Sequence, residues 1–194
     1  MTWQYHITHL CCVFELLHQH SLVVKRSKCH FGQPSIAYLG HIISSIGLQV
    51  DLEKIRAIES WPCPILLKEV RGFLGLTGYY RRFVKGYTQL ASPLTDLLKK
   101  DSFVWSDTSS AAFITLKQAL SSVPVLALSN FAKMFSVETD ASGTGISAVL
   151  CQEGHPITFF SQKLSARMQV ASTYTKEIFA ITQVIQKWRQ YLLG

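Results

Sequence analysis

The chain has 194 residues, 48% of them apolar, which is enough for one ordinary domain or two small ones and excludes a disordered tail. Charged residues make up only 16%, yet 19 Lys and Arg against 12 Asp and Glu leave a formal charge of +7, which suits a polyanionic partner such as nucleic acid or an anionic surface. No window reaches the ~18 consecutive apolar residues of a membrane span, and the opening MTWQYHITHL lacks the features of a secretory leader, so an intracellular protein outside the membrane is expected.

Helical spacing of Leu10, Val13, Phe14 and Leu17 predicts an amphipathic helix over His6 to His20. Leu22-Val23-Val24 and Ile36 to Leu39 are β-prone runs, and Gly40 to Val50 reads as a hairpin around a Ser-Ser-Ile-Gly turn. Asp51 is placed to cap a short helix carrying Leu52, Ile55 and Ile58, which the Trp61-Pro62-Cys63-Pro64 run must end. Between Pro64 and Pro93 one long helical stretch is expected. On a wheel at ~100° per residue, Val70, Phe73, Leu74, Thr77 and Val84 share one side, while Gly72, Gly75, Tyr79 and Arg82 fall within roughly 80° on the other. Glycine inside a helix costs ~1 kcal/mol relative to alanine, so Gly72, Gly75 and Gly78 make sense if something must approach the backbone closely. Arg81 lands on the apolar side without an explanation beyond snorkelling.

A connecting segment follows, with a helix from about Thr108 to Ser121. Three strand-like runs, Met134 to Thr139, Ile146 to Gln152 and Pro156 to Ser161, then lead into a long helix from about Ser172 to Leu193. Its stripe of Tyr174, Ile178, Ile181, Ile185, Trp188 and Leu192 is expected to pack on the sheet.

Asp140, at the end of a strand and followed by Ala-Ser-Gly-Thr-Gly, is positioned to hold a divalent metal, or simply to make a turn with Ser142 and Gly143. Glu177 borders the final helix's stripe; it is either a second carboxylate at the same rim or a solvated residue near a helix N-terminus. Glu138 shares the strand face of Asp140 and is an alternative ligand. The early histidines and cysteines form no four-ligand zinc pattern, and the five cysteines, odd in number and without a CxxC, read as reduced thiols. Arg81 and Arg82 with Tyr79, Tyr80 and Phe83 mix charge with aromatics, as nucleic-acid surfaces do.

Several segments in series, KRSKCHFGQPSIAYLGHIIS, EVRGFLGLTGYYRRFV, FSVETDASGTGISAVL and TYTKEIFAITQVIQKWRQYLLG among them, resemble the pol polyprotein of gypsy-type LTR retrotransposons where reverse transcriptase meets ribonuclease H. The resemblance implies a mixed α/β (α+β) fold in three parts: the end of a polymerase palm over 1–64, a thumb or connection-like helical region over 65–129, and the first half of a ribonuclease H-like domain over 130–194, with three antiparallel strands and a long helix. It further implies that Leu39, Gly40 and His41 belong to a hairpin gripping the primer end, that Gly72, Gly75, Tyr79 and Arg82 track the minor groove, and that Asp140 and Glu177 are two of four metal-binding carboxylates.

The implied partners are an RNA/DNA hybrid or primer-template duplex and the remainder of the polyprotein, in the cytoplasm or a retroelement particle, with Mg²⁺ or Mn²⁺ as the family's metal. The chain contains no adjacent Asp-Asp pair, so the polymerase aspartates are expected upstream of Met1 and the other ribonuclease H aspartates beyond Gly194. Weak metal binding and little or no activity from this chain alone are therefore expected. Two competing readings are a non-catalytic nucleic-acid-binding remnant and an actin-like or sugar-kinase ATPase using the Asp140 turn for phosphate.

Overall fold

The computed structural model describes residues 2–99 and 103–193, which fall into two compact units divided between Ile36 and Ala37. In the first unit, α1 (Trp3–Gln19) buries no residue, and a 3-10 turn, Arg26–Lys28, follows. The Leu22-Val23-Val24 run expected to be β-structure is not a strand; Val23 is almost wholly exposed, and no ladder pairs it among the described residues. β-propensity without a partner strand leaves the segment irregular.

β1 (Ser35–Tyr38) crosses from the first unit into the second. β2 (His41–Ser44) and β3 (Gly47–Val50) form the expected antiparallel hairpin, with His41 opposite Val50 and Ser44 opposite Gly47. Asp51 caps α2 (Leu52–Glu59) by accepting the Glu53 N–H at 2.9 Å, and Ile58 is fully buried.

The expected single helix from Pro64 to Pro93 is broken in two. α3 (Leu67–Tyr79) begins where the Glu69 carboxylate accepts the Ile65 and Leu66 N–H groups, and ends before a 3-10 turn, Arg81–Phe83. Gly86, at φ 66°, then turns the chain into α4 (Tyr87–Asp96), which contains Pro93 rather than stopping at it. A wheel drawn through this break therefore misplaces Arg81, which is exposed beyond α3, although Val84, also beyond α3, is buried with Val70 and Phe73 as expected. Within α3 the buried residues are Val70, Phe73 and Thr77.

α5 (Asp107–Ser121), capped by the Ser106 hydroxyl, packs Phe113, Leu116 and Leu120 into a core with Phe73, Leu94 and Tyr80. β4 (Ser136–Ala141), β5 (Gly145–Gln152) and β6 (His155–Lys163) form an antiparallel sheet in the order β4-β5-β6. The short α6 (Ala166–Gln169) leads to α7 (Thr173–Lys187), which ends at Trp188 before α8 (Arg189–Leu192), so the expected continuous final helix is also interrupted.

The predicted packing stripe of α7 is corrected as well. Of that stripe Trp188 is buried and Leu192 partly buried, as expected, but Tyr174, Ile178, Ile181 and Ile185 are exposed; Ala180 and Val184 are buried instead, Val184 beside Ala148 and Leu150 of β5 and Ala180 beside Ile146. The helix uses its smaller side chains to approach the sheet closely. α4 docks against β6: the Thr88 N–H donates to Ser161 Oγ at 2.9 Å, the Thr88 hydroxyl donates to the Ser161 carbonyl at 3.0 Å, and Lys163 pairs with Asp96 at 3.3 Å.

Candidate nucleic-acid interface and carboxylate site

Two consecutive left-handed residues, Leu39 (φ 48°) and Gly40 (φ 75°), turn the chain into β2 and direct two carbonyls toward the end of α3. Tyr79 Oη donates to the Leu39 carbonyl at 2.9 Å, and Tyr80 Oη donates to the Gly40 carbonyl at 3.1 Å. A Cβ on Gly40 would lie 2.5 Å from Tyr80 Oη, so glycine is required both by the dihedral and by this close approach.

His41 lies within the same cluster, stacked on Tyr79 with centroids 5.4 Å apart and planes 8° apart, edge-on to Tyr80 at 5.5 Å, and 5.6 Å from Phe83. Its Nδ1 is buried without a hydrogen-bond partner among the described residues. Thus Leu39, Gly40 and His41, expected in a primer-gripping hairpin, and Tyr79, expected on a groove-tracking helix, are brought together across 40 residues of chain. Tyr80 and Phe83 complete the cluster. They were noted only as aromatics beside charge; the signal for a structural role was their position where the helix stops.

Burial, and secondarily the charge of Arg82, hold the His41 imidazole below its ordinary pKa of 6.5. The folded state therefore takes up its proton less readily than the unfolded chain. The hairpin contact is fully stabilising above about pH 6.5 and weakens as the pH falls through that value toward the lowered one. Urea unfolding at pH 7.5 and 5.5 is expected to show a larger midpoint drop in the wild type than in His41→Phe, and equal drops would contradict this assignment.

The remaining groove candidates lie close by. Gly72 and Gly75 are on the exposed side of α3, but only Gly75 faces open space; a Cβ at Gly72 would meet the Trp61 ring at 3.4 Å. Tyr79 is half exposed. Arg82 sits past the helix break, partly buried, and its Nε lacks a hydrogen-bond partner among the described residues.

Asp140 and Glu138 alternate along β4 with Val137, Thr139 and Ala141. Val137 and Ala141 pack in the clusters that contain Val184 and Ala180 of α7, so the two carboxylates occupy the opposite sheet face. There they line a cavity of about 110 Å³ with Lys85, Ser147, Val149 and Phe159. Glu177, exposed in the second turn of α7, is not among the lining residues.

The turn alternative for Asp140 does not hold, whereas Glu177, exposed near the start of α7, matches its solvated alternative. Ser142, not Asp140, closes the β4–β5 turn, accepting the Gly145 N–H at 3.0 Å, and Ser172 caps α7 through the Thr175 N–H at 3.2 Å. No group of three His, Cys, Asp or Glu able to hold a metal occurs among the described residues. Glu138 and Asp140 share that lining with the Lys85 ammonium, and their carboxylates are oxygen donors of the kind a hard divalent cation takes.

A family model described as an RNase H-like domain found in reverse transcriptase matches residues 105–194. The retrovirus-related Pol polyprotein from transposon 297 of Drosophila melanogaster is 39% identical over 193 residues, covering 97% of this chain and 18% of that polyprotein. The Pol polyprotein from transposon gypsy of the same fly is 37% identical over 202 residues, covering 97% and 20%. An uncharacterised mitochondrial protein of Arabidopsis thaliana is 52% identical over 124 residues, or 63% of this chain and 78% of that protein. The chain thus spans about a fifth of the Pol polyproteins it matches. Among solved structures, a foamy viral protease-reverse transcriptase in complex with RNA/DNA hybrid superposes with a TM-score of 0.89 at 21% identity, over 100% of this chain and 27% of that one. That match establishes the fold.

Proposed function

Because the chain belongs to the retrotransposon Pol family, in the stretch where reverse transcriptase runs into its RNase H-like domain, we propose that it engages the RNA/DNA primer-template duplex for an RNA-directed DNA polymerase/ribonuclease H. The observation that carries this reading is the exposed face of α3, where Gly75 leaves open space beside Tyr79 and the Leu39-Gly40-His41 turn. A duplex backbone can approach such a face without meeting bulk, through contacts that are largely independent of sequence. The net charge of +7 supplies the long-range attraction.

Parts 1–64, 65–129 and 130–194 correspond in this reading to palm end, thumb and RNase H-like half. The family's chemistry generally uses a divalent metal. Asp140 and Glu177 are our candidates for carboxylates of that site, with Mg²⁺ or Mn²⁺ as the ion. Assayed by itself, the stretch 1–194 brings these two to the site and is expected to hold the ion weakly and to bind hybrid without cutting it.

The test is an end-labelled RNA/DNA hybrid incubated with the chain in Mg²⁺ or Mn²⁺. The hybrid is expected to be bound and to remain intact, with Asp140→Asn and Glu177→Gln binding within about two-fold of wild type. Cleavage abolished by both substitutions would overturn the non-cutting assignment, and absence of binding would overturn the duplex reading.

A further inference from the structure

Beyond α3 the surface continues into a second feature, a cleft of about 320 Å³ formed by the 3-10 turn, β6, the end of α7 and α8. Arg81 and Arg82 enter it from one side and Lys187 and Gln190 from the other, and no carboxylate lines it. Tyr79 belongs both to this lining and to the cluster at the end of α3, so cleft and glycine face are continuous.

Arg82 supplies an independent indication. Its Nε is buried and has no hydrogen-bond partner, and neither arginine forms an ion pair among the described residues. A buried charged donor left unmatched is costly and calls for an acceptor. The planar guanidinium offers paired N–H donors that fit a phosphate, and the Lys187 ammonium adds a compact second charge.

We propose that this cleft seats one backbone phosphodiester of a nucleic-acid strand, joining the thumb-like face to the RNase H-like sheet. The assignment rests on the duplex reading above and adds a defined anion site to it. Arg82, with Arg81 and Lys187, holds the phosphate oxygens, while Trp188 and Phe160, whose rings lie 6.3 Å apart, wall the cleft. The break in the helix at Tyr80 is what allows Arg81 and Arg82 to turn toward β6.

The experiment is a salt titration of a fluorescein-labelled RNA/DNA hybrid from 50 to 200 mM KCl, using wild type, Lys187→Gln, Arg81→Gln and the double variant, each with its unfolding midpoint measured alongside. Lys187 and Arg81 are both exposed, so their substitution is compatible with folding even if Arg82→Gln is not. Each single variant is expected to bind more weakly, with a log–log salt slope shallower by up to about 1. The double variant loses about 1 in total rather than 2, because both side chains serve one phosphate.

Lys133→Gln, which removes a surface ion pair to Glu153, is expected to leave the slope unchanged. Wild-type binding with unchanged slopes in all three cleft variants would overturn the phosphate seat and leave the duplex reading standing. Absence of wild-type binding would overturn both.

Discussion

Alanine at Phe73 is expected to remove about 3–5 kcal/mol of folding free energy, a large share of the roughly 5–15 kcal/mol that holds a domain folded. Phe73 is fully buried, its ring 4.6 Å from Phe113 and 5.9 Å from Trp61. The same knot includes Lys117, whose ammonium lies 4.8 Å from the Phe113 centroid and donates to the Trp61 carbonyl at 2.6 Å. Phe73 thus ties α3 to both α2's exit and α5, and it fixes which side of α3 faces outward. In urea the midpoint should fall steeply with an unchanged slope. A loss below about 1 kcal/mol would mean that the core does not centre on this contact.

Leucine at Gly75 is expected to separate folding from binding. A Cβ there meets nothing within 4 Å, and replacing glycine in a helix interior recovers roughly 0.5–1 kcal/mol of backbone entropy. The variant should therefore be at least as stable as wild type, yet bind hybrid at least ten-fold more weakly, because the new side chain occupies the space offered to the duplex backbone. Gly75→Ala should show the stability gain with a smaller binding loss. Gly72 gives no such separation, since its Cβ would press on Trp61 within the protein itself. Unchanged affinity in a folded Gly75→Leu protein would remove α3 from the interface.

Short-range chemistry made much of the fold legible in advance. The Asp51 cap, the hairpin through Gly47 and the three strands around Asp140 follow from turn residues, capping oxygens and alternation, all of which act within a few residues. Periodicity failed where a tertiary contact chose between apolar faces. In α7 both Ile178/Ile181/Ile185 and Ala180/Val184 line up with Trp188, and close approach to the sheet selected the set containing the small Ala180.

The break after α3 was invisible for a related reason. Tyr80 is pinned to Gly40, 40 residues away, and Gly86 adopts a left-handed turn, so a pattern continuous on the wheel is divided by contacts outside its window. The glycine-aromatic face and Asp140 were legible as residue types, but the Tyr79–His41 stack and the cleft holding Lys187 exist only once the helices have docked.

The central claim, that this chain is a duplex-engaging piece of a reverse transcriptase/ribonuclease H, is tested most directly by fluorescence anisotropy of a labelled RNA/DNA hybrid with the wild-type protein from 50 to 200 mM KCl. The account predicts saturable binding that weakens steeply across that range, as release of counterions from several phosphates requires. Affinity that stays flat over the same range, or no binding by a protein shown to be folded, would contradict it.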